Sequence, residues 1–141
     1  MALEHSFNDL KTIAQSKSAD AVLLLEHGRF ANAYYLAGYA VEIGLKACIA
    51  LLFRAEHFPD RRLVNTVHTH QLNELVLHAG LEKILAERKE ASREFSKNWT
   101  RACKWTPDSR YIAVDALTAR VMVHAVSDPQ TGVLTWIREY W

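Results

Sequence analysis

Only five glycines and three prolines punctuate the 141 residues of this chain. These residue types are the strongest local breakers of regular structure, so their scarcity leaves few turns and demands long elements. Periodicity says which kind. From about Glu4 to His27, the residues Phe7, Leu10, Ala14, Ala21, Leu24 and Leu25 recur at helical spacing, with Lys11, Lys17 and Asp20 between them. That is the pattern of an amphipathic helix. Gly28 follows as the expected left-handed terminator. A second helix runs from about Arg29 or Phe30 to Phe53, or as far as His57, before Pro59 stops it.

This second helix is apolar on most of its circumference. One seam is Tyr34, Ala37, Val41, Gly44, Cys48 and Leu51, and a second side is Leu36, Ala40, Ile43, Ala47 and Ala50. Such a helix is buried on most sides. The remaining stripe, Tyr35, Tyr39, Glu42 and Lys46, advances by four, three and four residues and is polar. Small residues at Ala37, Gly38, Ala40, Gly44 and Ala47 leave room for another element to approach closely, although each glycine costs about 1 kcal/mol of helix propensity.

Downstream, Phe58 to Thr69 reads as a loop, and Thr69 as the cap of a short helix from His70 to His78 that Gly80 ends. Leu81 to about Trp99 reads as one charged helix threaded by Leu81, Ile84, Leu85, Ala91 and Phe95. Thr106-Pro107-Asp108 is a helix-start signal. It precedes a helix from about Tyr111 or Val114 to Val126, and Val133 to Trp141 makes a short last helix. No segment has strand period. The expected fold is all-α, an up-and-down bundle of about five to six helices built on two long antiparallel helices, with residues 1–141 as a single domain.

Seventeen Lys and Arg against sixteen Asp and Glu give a formal charge of +1, so no global basic field drives nucleic-acid binding. Any phosphate site must be a local cleft. Cys48 and Cys103 have no CxxC spacing, and the first residues, Met-Ala-Leu-Glu-His, lack the basic and apolar regions of a signal peptide; a reducing, cytoplasmic setting is expected. The apolar stretch from Ala31 to Phe53 is interrupted by Asn32, Glu42 and Lys46 and is read as a core helix, with no membrane contact.

Several of these segments, in order and spacing, carry a family resemblance. Ala19-Asp20, Leu23-Leu24 and Gly28-Arg29 lead into Ala33-Tyr34-Tyr35-Leu36-Ala37-Gly38-Tyr39-Ala40-Val41-Glu42 and Leu45-Lys46-Ala47. His70-x-Leu72-x-x-Leu75 and Trp105-Thr106-Pro107-Asp108-Ser109-Arg110-Tyr111 follow. Together they resemble the bacterial HEPN domains over residues 19 to about 126. The resemblance implies a bundle of four to six helices, usually a homodimer. It also implies a toxin-antitoxin or phage-defence setting beside a nucleotidyltransferase antitoxin partner, and, in many members, metal-independent ribonuclease activity without a cofactor. The signature of active members is an Arg followed after four to six residues by a His, at a helix start in the dimer cleft. The Arg stabilises charge on the phosphorane and the His moves a proton.

Here the chain departs from that pattern. Arg61 and Arg62 have the right spacing to His68 but come too early in the fold. In the expected region stand Arg120 and His124, with three residues between them. A step of four puts both on one helical face, which makes them the candidate catalytic pair.

The candidate binding groups are Tyr39, Glu42, Lys46, Trp105, Arg110 and Tyr111. Glu42 and Lys46 have the order of a simple ion pair, and equally that of a groove in which Glu42 orients a basic group towards phosphate. Arg110 and Tyr111, read as standing at a helix start, suit a phosphate held by backbone amides, with a base stacked on Trp105 or Tyr111. The competing reading makes Trp105 and Tyr111 core anchors and pairs Arg110 with an acid. His68 and His70 have no acidic or cysteine companion nearby in sequence at a useful spacing for a metal. Trp136, Tyr140 and Trp141 leave an aromatic C-terminus expected to dock across a dimer contact or back onto the bundle. Two functions fit: RNA or nucleotide binding with ribonuclease activity, and a catalytically silent bundle that works by dimerisation and partner binding.

Overall fold

A computed structural model describes residues 2–56 and 68–141 of the chain. Among them are seven α-helices and no strand: α1 (Ala2–Glu26), α2 (Phe30–Glu56), α3 (Leu72–His78), α4 (Glu82–Ala91), α5 (Arg93–Ala102), α6 (Ala116–Ser127) and α7 (Val133–Ile137). A 3-10 helix, Pro107–Tyr111, joins α5 to α6. The all-α class follows from the periodicity. The loop expected from Phe58, and Arg61 and Arg62 with it, lie outside the described residues.

α1 and α2 form a hairpin closed at Gly28, whose φ of 75° is the left-handed conformation that glycine adopts without steric cost. The Arg29 amide donates to the Leu24 carbonyl at 2.8 Å and the Gly28 amide to Leu25 at 3.1 Å, which satisfies carbonyls the end of α1 leaves open. Gly80, with φ 73°, closes α3 in the same way through Leu81 to Val76 and Gly80 to Leu77. Gln71, not Thr69, stands at the N-cap of α3, and the Thr69 hydroxyl instead donates to Glu74 at 2.6 Å.

The charged segment after Gly80 is two helices, not one. Ser92 is extended (φ −137°, ψ 109°), ends α4 and caps α5 by accepting from the Phe95 amide at 3.1 Å. Its hydroxyl offers the backbone an alternative to continuing the helix. Beyond it Phe95, Asn98, Trp99 and Ala102 are buried on one side of α5. α6 starts at Ala116, later than expected, because Asp115 is its cap; the Asp115 carboxylate accepts from the Thr118 amide at 2.7 Å. Its buried face is Ala119, Met122, Val123 and Val126.

α7 docks back onto the bundle, one of the two expected placements. Trp136 packs edge-on against Phe95, Trp99 and Tyr140, and Leu134, Ile137 and Trp141 close over Gly44 of α2. The segment before α7 is pinned by Asn98, fully buried, whose amide donates to the Thr131 carbonyl at 3.0 Å. Phe30–Leu52 is long and apolar enough to cross a membrane by length and composition, and two thirds of it is buried inside the bundle as a core helix.

Asp128 organises the turn between α6 and α7. Its carboxylate accepts from the Thr131 amide at 2.7 Å, the Thr131 hydroxyl at 2.9 Å and the Gln130 amide at 3.0 Å. These bonds, the Thr131 amide first, hold its pKa below the ordinary 3.8. A carboxylate depressed in the folded state stabilises the fold above its unfolded value and loses that contribution as pH falls through the folded value. Asp128→Asn is therefore less stable than wild type at neutral pH, and urea midpoints of the two proteins converge as the pH is taken below 3.8.

Candidate functional site

The polar stripe of α2 lies inside the molecule. Glu42 is 2% exposed, and Tyr35, Tyr39 and Lys46 are half-buried. Trp105 is one part of the cover. Its indole lies against Tyr35 and Tyr39 with ring centroids 5.9 and 6.1 Å apart, and its Nε1 donates to the Tyr35 carbonyl at 3.1 Å. The approach depends on Gly38, where a Cβ would stand 2.2 Å from the indole carbons.

The start of α3 is the other part. His70 Nδ1 donates to Glu42 Oε1 at 2.8 Å, while Lys46 Nζ donates to Glu42 Oε2 at 3.2 Å. A buried carboxylate is costly unless donors occupy it, and here each oxygen has one. The ion pair read from sequence is formed, and it is one half of a three-residue unit. Because an ionised carboxylate only accepts, the bond assigns the Nδ1–H tautomer to neutral His70 and leaves Nε2 as an acceptor.

Arg110 and Tyr111 form the exposed margin. The Arg110 guanidinium sits 4.8 Å from the Tyr111 ring centroid, a cation–π arrangement. Hydrogen bonding with the Tyr111 and then the Tyr35 side chain raises its pKa further above the ordinary arginine value. Tyr39 ties this margin to the interior: burial first, then Glu42 and Tyr35, push its phenol up, while Arg110 pulls it down.

Beside this cluster, between the first residues of α3 and the segment after α5, is a cleft of about 380 Å³ lined by His70, Gln71, Asn73, Cys103, Trp105 and Thr106. That is the volume of a small ligand site. Burial pushes the Cys103 thiol up to about 11 and the Cys48 thiol to about 12, so neither is a thiolate nucleophile near neutrality.

The six binding candidates thus meet in one connected cluster. The core-anchor reading holds for Trp105, which is buried, and fails for Tyr111, which is 75% exposed. Arg110 stacks on a tyrosine instead of pairing with an acid. The expected helix start is corrected: Arg110 and Tyr111 end a five-residue 3-10 helix, and the first amides of α6 are capped by Asp115, so no free helix N-terminus stands at Arg110. Arg120 and His124 occupy the exposed side of α6, where His124 Nδ1 lies 3.9 Å from Asp128. Among the described residues no contact links either of them to the cluster.

His70 is the site residue whose partner sequence reasoning missed, because 28 positions separate it from Glu42 and no local period reports such a contact. Among the described residues no three His, Cys, Asp or Glu side chains are grouped to hold a metal. Compared with known proteins, the chain matches no family, no curated protein and no solved structure.

Proposed function

We propose that the chain is a HEPN-like cytoplasmic protein that binds single-stranded RNA or a nucleotide at Arg110 and Tyr111, the exposed margin of a cluster whose buried and half-buried members are Tyr39, Glu42, Lys46 and Trp105, and that it cleaves RNA without a metal. The observation that carries the reading is the exposed Arg110–Tyr111 stack at the margin of a cluster with a small cleft beside it. A cation for phosphate and a ring for a base are the two elements that single-strand recognition requires. With a net charge of +1 the contact is local, which fits a short segment of RNA better than a duplex.

A second reading rests on another observation. Tyr111, Ile112 and Leu117 are exposed apolar side chains within a few residues of one another, Leu117 at 65%, and exposed apolar surface marks interaction sites. In that reading the bundle is catalytically silent and acts as a homodimer that engages a protein such as a nucleotidyltransferase antitoxin.

Fluorescence anisotropy with a labelled, mixed-sequence single-stranded RNA in the presence of EDTA separates the two. Tyr111→Ala is expected to weaken binding by about 5- to 160-fold, the worth of one stacked base, with the melting temperature unchanged because the ring is outside the core. Arg110→Ala should weaken binding and reduce the magnitude of the salt slope by about one. A wild-type protein that binds neither this RNA nor a mononucleotide, and runs as two chains in light scattering, follows the second reading.

A further inference from the structure

Cleavage of RNA requires a group that moves a proton, and the chain's most completely prepared group is not in the Arg120–His124 pair. His124 is exposed, with a carboxylate 3.9 Å away, outside hydrogen-bond distance. His70 is as exposed as His124 and differs in its carboxylate partner. Its Nδ1 is held at 2.8 Å by a carboxylate that is itself 3% exposed and locked from its other oxygen by Lys46. Its own side chain is 56% exposed and lines the 380 Å³ cleft.

We infer that His70 is the proton-transferring catalytic residue of the RNA cleavage proposed above, and that Glu42 is its positioning residue. The inference rests on that reading for the substrate and on the Glu42–His70 geometry for the role. A buried acceptor on one ring nitrogen fixes the tautomer and the ring plane, so the other nitrogen is presented as a base without rearrangement. Nε2 takes the proton of a ribose 2′-hydroxyl, and the 2′-oxygen bonds to the adjacent phosphorus. The bond from phosphorus to the 5′-oxygen breaks, and that oxygen takes a proton from water. The imidazolium returns its proton to solvent. The products are a 2′,3′-cyclic phosphate and a 5′-hydroxyl, with no change of oxidation state. Lys46 has no share in the proton transfer; it holds the second oxygen of Glu42.

The test uses the full chain and the same labelled RNA in EDTA, with the all-deoxy oligonucleotide as a control that lacks the reacting hydroxyl. His70→Ala should bind RNA as wild type does and cleave about 10²- to 10⁴-fold more slowly, the range for loss of a general acid–base group. Added imidazole should restore part of the rate, because the truncated side chain opens into the cleft. Glu42→Gln should lower kcat with KM unchanged in the wild-type background and change nothing further in the His70→Ala background, since a positioning residue acts only through the group it positions. Cleavage by His70→Ala at the wild-type rate, or additive losses in the double variant, overturns the inference. Wild type that binds RNA without cleaving it overturns the inference and leaves the binding site standing, whereas absence of binding removes both.

Discussion

Gly38→Ala is expected to lower the melting temperature by on the order of 10 °C and to abolish RNA binding, although a glycine-to-alanine change inside a helix ordinarily stabilises by about 1 kcal/mol. The sign reverses because of what faces the new methyl group. A Cβ at position 38 would lie 2.2 Å from Cγ and Cδ1 of Trp105 and 2.6 Å from Cδ2, against a carbon contact distance of about 3.5–4.0 Å. The indole is a rigid ring, 3% exposed and tied by Nε1 to the Tyr35 carbonyl, so it has to leave as a unit. Overpacking costs about 1–3 kcal/mol, and stranding a buried indole N–H adds a comparable amount. Gly44 is the internal control. Its neighbours are Leu134 Cδ1 at 3.0 Å, Trp141 Cζ3 at 3.2 Å and Ile137 Cγ2 at 3.3 Å, each of which has to give by only a few tenths of an ångström, so Gly44→Ala should cost much less than Gly38→Ala because the propensity gain offsets part of the adjustment. Thermal melts of both variants decide the matter; equal melting temperatures would mean that Trp105 does not rest on Gly38.

Why so much of the bundle was legible, and why the site was legible only in part, comes down to the range of each interaction. The buried circumference of α2, the glycine terminators at 28 and 80 and the face of α6 are set by residues three and four apart, and such spacing is visible in any window of sequence. The break at Ser92 is equally local but was hidden, because Glu90, Ala91, Arg93 and Glu94 flank it and a serine inside a helix looks the same as a serine that caps one until its hydroxyl has a partner. Thr106-Pro107 was a real start signal, yet what it starts is a 3-10 helix, since Asp115 supplies a better cap for the longer α6. The polar stripe announced that something must cover it, and the small residues at 38 and 44 announced close approach. What the pattern could not say was which segment arrives. Trp105 and His70 reach α2 across 70 and 28 positions, and only chain topology brings them there.

Replacing Glu42 by alanine should cost about 3–5 kcal/mol, the loss expected when one partner of a buried ion pair is removed and the other is left without compensation. Lys46 carries most of that penalty, with 15% of its side chain exposed, whereas His70, more than half exposed, returns to water at little cost. Replacing both members, Glu42→Leu with Lys46→Met, removes the stranded charge and fills the same space with apolar atoms, a change that is commonly neutral or stabilising. The double variant should therefore melt near or above wild type while the single variant melts well below it. That contrast separates two reasons for a carboxylate to sit in a core helix. If Glu42 serves the fold alone, the repacked protein keeps whatever activity the wild type has. If Glu42 exists to hold His70 in one tautomer and one plane, the repacked protein is stable and silent, binding RNA through Arg110 and Tyr111 but turning it over no faster than His70→Ala. A stable double variant with full turnover would assign Glu42 to packing and leave His70 without its positioning residue. A double variant as unstable as Glu42→Ala would mean that the ion pair contributes net stability here, so that the fold itself requires the charge.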